Sequence, residues 1–95
     1  MEPFLPRKKK TDYAALSSDF MKVPRMSVEV ARSLLDAGYT KTYELQGLSP
    51  DSLWQEIQTQ KPETPPHQLP YLRMLVYYAE TPSPDPKHLH PSAWS

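Results

Sequence analysis

The chain has no cysteine among its 95 residues. Disulfides, thiolate metal sites and cysteine nucleophiles are therefore excluded, and a reducing cytoplasm is the expected setting. Glycine is scarce, with only two copies, Gly38 and Gly47. No glycine-rich phosphate loop and no nucleophile elbow is found around them. No apolar run approaches the roughly 20 residues needed to span a bilayer, so no membrane partner is expected. The basic residues near the start lack an apolar stretch behind them, and a secretory signal is not expected either. Strand-like alternation never persists beyond a few residues, and neither glycine sits in a strand–turn–strand pattern. Net charge is absent overall but not locally. Residues 1–10 carry four basic groups against one acid, a surplus of +3, and residues 11–95 carry seven basic and ten acidic groups, a balance of −3. The body of the chain is thus not a basic, nucleic-acid-coating domain.

Proline is abundant, with 12 copies, and it punctuates the chain. Pro3, Pro6 and the run Arg7-Lys8-Lys9-Lys10 predict a flexible basic arm over residues 1–11. Asp12 is placed to cap a helix from Tyr13 to Met21 that buries Leu16 and Phe20. Pro24 fixes its own φ and disfavours helical geometry at Val23, so that helix must end there. Ser27 then caps a second helix running to Ala37. Glu29 lies in its positively polarised first turn, Val30, Ala31, Leu34 and Leu35 form its apolar face, and Gly38 is its left-handed stop. Thr42 to Gln46 reads as a short helix ended by Gly47. Ser49-Pro50-Asp51 starts a fourth helix reaching about Thr59, with Leu53, Trp54 and Ile57 turned inward. Pro62, Pro65 and Pro66 make residues 60–68 an extended connection. A fifth helix begins near Leu69 or Pro70 and runs to Glu80 on the stripe Leu72, Leu75, Val76, Ala79. Pro82, Pro84 and Pro86 stop it and predict an extended, proline-rich tail over residues 82–95.

The expected fold is therefore all-α, a single domain over residues 12–81 with about five short helices and two extended ends. Its expected core is Leu16, Phe20, Val30, Leu34, Leu35, Leu45, Leu53, Ile57, Leu72, Leu75 and Val76.

Pro24-Arg25-Met26-Ser27, followed by Ala31, Leu34-Leu35 and Gly38, resembles a helix-hairpin-helix motif. The usual hairpin reads Pro-Gly-hydrophobic-Gly, with a small residue four positions after the second glycine. Here Met26 fills the hydrophobic slot and Ala31 the small one, while Arg25 and Ser27 occupy the two glycine positions. The later blocks Leu45-Gln46-Gly47, Ser49-Pro50-Asp51-Ser52-Leu53-Trp54, Arg73-Met74-Leu75-Val76-Tyr77-Tyr78-Ala79 and Pro84-Asp85-Pro86 are, in that order, similar to the small bacterial helix-hairpin-helix family labelled "pathogenicity locus" or "mitomycin resistance". The resemblance spans about residues 16–94. It implies a helix-hairpin-helix fold and, more loosely, a role in DNA protection or repair.

The hairpin admits two readings. In one, the amides of Met26, Ser27 and Val28, together with Lys22, Arg25 and Arg32, bind phosphates of the DNA backbone without reading sequence. In the other, the hairpin only crosses two helices compactly and the domain is a protein-interaction or dimerisation module. Its anchors would then be Trp54, Tyr77, Tyr78 and Trp94. Arg7, Lys8, Lys9 and Lys10 are either a nucleic-acid-contacting arm or a solvated tail. Arg73 is expected either to pair with a carboxylate such as Asp36 or Glu56 or to snorkel at the surface. His67, His88 and His90 invite a metal reading, but the histidines of the tail have a poor frame and no His-x-x-x-His pair lies on a helix, so no metal is expected. No other cofactor and no catalytic constellation is expected: Ser, His and Asp fall mostly in caps and tails.

Overall fold

The computed structural model describes residues 12–94. Among them the chain is all-α, with helices α1 (Tyr13–Leu16), α2 (Val28–Asp36), α3 (Pro50–Gln60) and α4 (Leu69–Glu80) joined by short 3-10 turns, and with no strand. None of these helices is long and apolar enough to cross a membrane.

Local chemistry accounts for the helix ends. Ser27 Oγ accepts the Glu29 amide at 3.2 Å and starts α2. At its other end Gly38 stands at φ 100°, with its N–H on Leu35 O and the Tyr39 N–H on Leu34 O, both at 3.0 Å. This is the left-handed Schellman closure anticipated from the glycine. Ser49 Oγ accepts from the Asp51 amide at 3.2 Å, and Pro50 fills the first helical position of α3, where its missing N–H costs nothing. Gly47, at φ 78°, turns the chain after the 3-10 turn Thr42–Leu45. Gln46 Nε2 then donates to Ala79 O and the Gly47 amide to Glu80 Oε2, both at 2.8 Å, so this turn caps the end of α4.

The expected first helix is interrupted. It runs only from Tyr13 to Leu16, and a separate 3-10 turn follows at Asp19–Lys22. The cause is the serine pair between them. Ser17 Oγ donates to Tyr13 O and Ser18 Oγ to Ala15 O, both at 2.6 Å, in competition with the helical ladder, and Ser18 turns extended. The break also changes which residue faces inward. Ala15 is fully buried, whereas Leu16, expected in the core, is 47% exposed.

The rest of the expected core is buried except Leu35, which is half-buried and packs against it. Ala15, Val23, Ala31, Met74 and Leu89 join it. The connection before α4 is not wholly extended: Thr64 N–H and Oγ1 both bond Lys61 O, and Pro66–Gln68 form a 3-10 turn leading directly into α4.

The largest correction concerns residues 82–94. The expected extended tail instead forms 3-10 turns at Pro86–His88 and Pro91–Trp94 that pack on α4, so the folded unit continues beyond residue 81. Proline presets φ for such turns, and Asp85 Oδ1 caps the first by accepting the Lys87 amide at 3.0 Å. Leu89 enters the core at 8% exposure. Arg73 correspondingly has no carboxylate partner among the described residues: its Nη1 donates to Trp94 O at 2.7 Å. The expected basic arm, residues 1–11, lies outside the described residues.

Candidate functional site

The hairpin is built from the 3-10 turn Asp19–Lys22, the link Val23–Ser27 and the start of α2. Two buried side chains, Phe20 and Val23, hold its base, and Met26 packs half-buried against the same core. Val23 is extended at φ −76°, ψ 128°, as the following proline requires. Ala31, in the small slot of the pattern, is fully buried.

Arg25 stands at φ 60°, the only non-glycine residue at positive φ among those described. It occupies the position where the usual hairpin has its first glycine. A side chain there costs roughly 1–2 kcal/mol relative to the right-handed form. The Arg25 side chain is exposed, with no ion-pair partner among the described residues. Pro24 and Arg25 form a turn that sets the Met26 amide toward Val23 O, while the amides of Ser27 and Val28 find no acceptor among the described residues. Two N–H groups at the start of α2 thus follow the exposed Arg25 within three residues, at the positive end of the helix dipole.

The other expected cations are placed differently. Lys22 Nζ lies 3.2 Å from Asp19 Oδ1. Asp19 Oδ2 also accepts from the Thr42 amide at 2.8 Å and Thr42 Oγ1 at 3.0 Å, and these bonds, the amide first, hold its carboxyl below the usual range. This tie sets the Thr42–Leu45 turn against the hairpin's leading arm. Lys41, exposed and one residue before Thr42, thereby joins the same flank, which sequence spacing could not show.

Arg32 is not available at the hairpin. Its Nε and Nη2 donate to the two Asp12 oxygens, each at 2.7 Å, and its Nη1 donates to Asp36 Oδ1 at 3.0 Å. Lys61 Nζ adds a contact to Asp36 Oδ2 at 3.3 Å. The bidentate bond from Arg32, with the Ala15 amide as a second donor, pulls the Asp12 carboxyl down to about 2. Asp12 therefore fastens α1 to α2 while capping α1. Asp36 is thus paired with Arg32 and Lys61, while Glu56 accepts the Tyr39 hydroxyl at 2.7 Å.

The remaining candidates are dispersed. Tyr77 and Trp94, considered as interaction anchors, pack on one another and on His88, with ring centroids 5.3–5.9 Å apart across the three pairs. Trp94 Nε1 donates to His88 O at 2.7 Å, and the Tyr77 hydroxyl accepts the Asp85 amide at 2.8 Å. Trp54 and Tyr78 are half-buried against the core. His90 Nδ1 is engaged with Ser92 Oγ at 2.7 Å. Among the described residues no group of three or more His, Cys, Asp or Glu side chains is placed to hold a metal ion. Arg7, Lys8, Lys9 and Lys10 lie outside the described residues.

Compared with family models, curated proteins and solved structures, the chain matches none.

Proposed function

We propose that the chain is a non-catalytic helix-hairpin-helix protein that binds DNA backbone phosphates weakly and without sequence preference. The observation that carries this reading is Arg25: exposed, without an ion-pair partner among the described residues, and held at φ 60° just before the Ser27 and Val28 amides, which have no acceptor among the described residues. A phosphate at this point would accept from the guanidinium and from one or two of the amides. Lys22 contributes at reduced strength because Asp19 shares its charge. Met26 and Val28 place the amides, Ser27 caps the helix, and Arg32 positions α2 rather than touching DNA. Arg7, Lys8, Lys9 and Lys10 add phosphate contacts that a single hairpin lacks. An accessory role in DNA protection or repair, in a bacterial cytoplasm, follows from the family resemblance.

One observation favours the alternative of a protein-interaction or dimerisation module. Tyr13 and Leu16 lie three residues apart on α1, exposed by 74% and 47%, and Tyr43 is 66% exposed. Fluorescence anisotropy with a labelled duplex at two salt concentrations separates the readings. The expected result is binding at low salt that weakens with added salt, by a log–log slope of about −0.9 per phosphate contacted. Arg25→Glu should reduce it severely. Loss only when Arg7 to Lys10 are replaced by serine moves the site to the arm. No binding by the folded protein at low salt ends the DNA reading.

A further inference from the structure

The 3-10 turn Thr42–Leu45 buries both of its ends, Thr42 at 5% and Leu45 at 0% exposure. Such a turn has three residues per revolution, so residues three apart share the inner side and those between are sent outward. Tyr43 is accordingly 66% exposed, and neither its ring nor its hydroxyl has a partner among the described residues. The turn is too well fastened to fold this ring away. Thr42 is tied to Asp19 Oδ2 through its amide and its hydroxyl, Leu45 lies in the core, and Gln46 and Gly47 bond to the end of α4. Tyr43 thus presents a flat apolar face on a rigid support, and covering that face immobilises a single side chain.

The same tie brings cations to the ring. Lys22 Nζ and the Thr42 amide meet the two oxygens of one carboxylate, Asp19 Oδ1 at 3.2 Å and Oδ2 at 2.8 Å, so the Lys22 ammonium lies within the span of that group from the residue next to Tyr43. Lys41, exposed and two residues before Tyr43, has no ion-pair partner among the described residues. Arg25 follows Lys22 by three residues. The acids on these segments are turned to backbone donors. Asp19 accepts the Thr42 amide, and Glu44 Oε1 accepts the amides of Thr40 and Lys41 at 2.7 and 3.0 Å. Three cations therefore lie on the two segments that Asp19 joins, beside an uncovered aromatic ring. Phosphates account for the cations but not for the ring. In a duplex the faces of the bases are covered by their neighbours, and an aromatic side chain meets one only where the strand is unpaired.

We infer that the ligand of this surface is single-stranded DNA, with Tyr43 stacking on an unpaired base while Lys22, Arg25 and Lys41 contact the neighbouring phosphates. The inference rests on the DNA reading above and narrows it from any DNA backbone to strands with exposed bases. Stacking of this kind tolerates every base, since each has a π-face, and so it adds no sequence preference.

The test is fluorescence anisotropy at low salt with labelled oligothymidine, which forms no duplex with itself, and with a blunt duplex of the same length. The full chain is expected to bind the single strand more tightly than the duplex. Tyr43→Ala should weaken oligothymidine binding about tenfold, the loss of one stacked base, and leave duplex binding unchanged. Tyr43→Phe keeps the ring and should bind oligothymidine within about twofold of wild type. Because Tyr43 is exposed, both variants should melt as wild type does, which separates a lost contact from a lost fold. In the wild-type protein, added oligothymidine should move the Tyr43 ring-proton NMR signals upfield, as stacking requires. If the duplex binds more tightly, or if Tyr43→Ala binds oligothymidine as wild type does, this inference is overturned while the hairpin reading stands. If the folded protein binds neither probe, both fall together.

Discussion

Arg25 holds a backbone conformation that its side chain disfavours, and the local geometry alone gives no reason for arginine there. Replacement by glycine should remove the steric cost and, after the entropy that glycine loses on folding, raise stability by roughly 0.5–1 kcal/mol. Arg25→Ala keeps a Cβ and should stay within about 0.5 kcal/mol of wild type. Urea denaturation of both proteins checks this, and equal stabilities would contradict a strained Arg25. Asp12 supplies a pH prediction. Its folded-state pKa of about 2 lies below the ordinary 3.8 because Arg32 and the Ala15 amide favour the carboxylate. The bond therefore stabilises the fold fully above about pH 4 and is lost as pH falls through about 2. Asp19 and Glu44 are also held low, mainly by backbone amides of Thr42 and of Thr40 with Lys41, and they add to the same acid-side loss. Stability measured from pH 6 to pH 2 should fall less steeply for Asp12→Asn than for wild type, from a lower starting value.

Among the elements, what the sequence made legible was whatever is decided within a few residues. Ser27, Ser49-Pro50, Gly38 and Gly47 act on their immediate neighbours, and the structure places each as read. The break after Leu16 is equally local, but its signal is weaker: Ser17 and Ser18 tolerate either a helix or the hydroxyl-to-carbonyl bonds that interrupt it. Once the helix breaks, periodicity assigns the wrong face, and so Leu16 was expected where Ala15 is buried. The apolar face of α2 shows the opposite case, with Val30, Ala31 and Leu34 buried completely. Leu34→Ala should cost about 2–5 kcal/mol, a large part of the roughly 5–15 kcal/mol that holds a domain together. Thermal unfolding monitored by circular dichroism would show this as a lower and broader transition. Leu16→Ala, at an exposed site, should change little.

At the scale of the whole molecule, the features hidden from the sequence are those made between distant elements. Arg32 has an acid four residues ahead, yet its strongest partner is Asp12, 20 residues earlier. Among the described residues Arg73 meets no acid and binds a backbone carbonyl, for which no residue pattern exists. The candidate hairpin was legible as a motif, but the engagement of Arg32 away from it was not, since its partner Asp12 caps a different element. The tail was read as extended because proline forbids helix, although proline equally suits the two 3-10 turns found there. Trp94→Ala removes a half-buried indole, its bond to His88 O and its packing on Tyr77, and should cost about 1–3 kcal/mol. Differential scanning calorimetry of the full chain reads this directly, and an unchanged melting temperature would mean that the tail contributes nothing.

The clasp between Trp94 and Arg73 also sets an order of events in time. The tail's bonds at Asp85, His88 and Trp94 run to α4 and within the tail itself. It can therefore lift away while α2, α3 and α4 stay closed, as a unit of lower protection than the core. In native-state hydrogen exchange the amides of His88, Leu89 and Ala93, which donate only within the tail, should exchange together and well before Leu75.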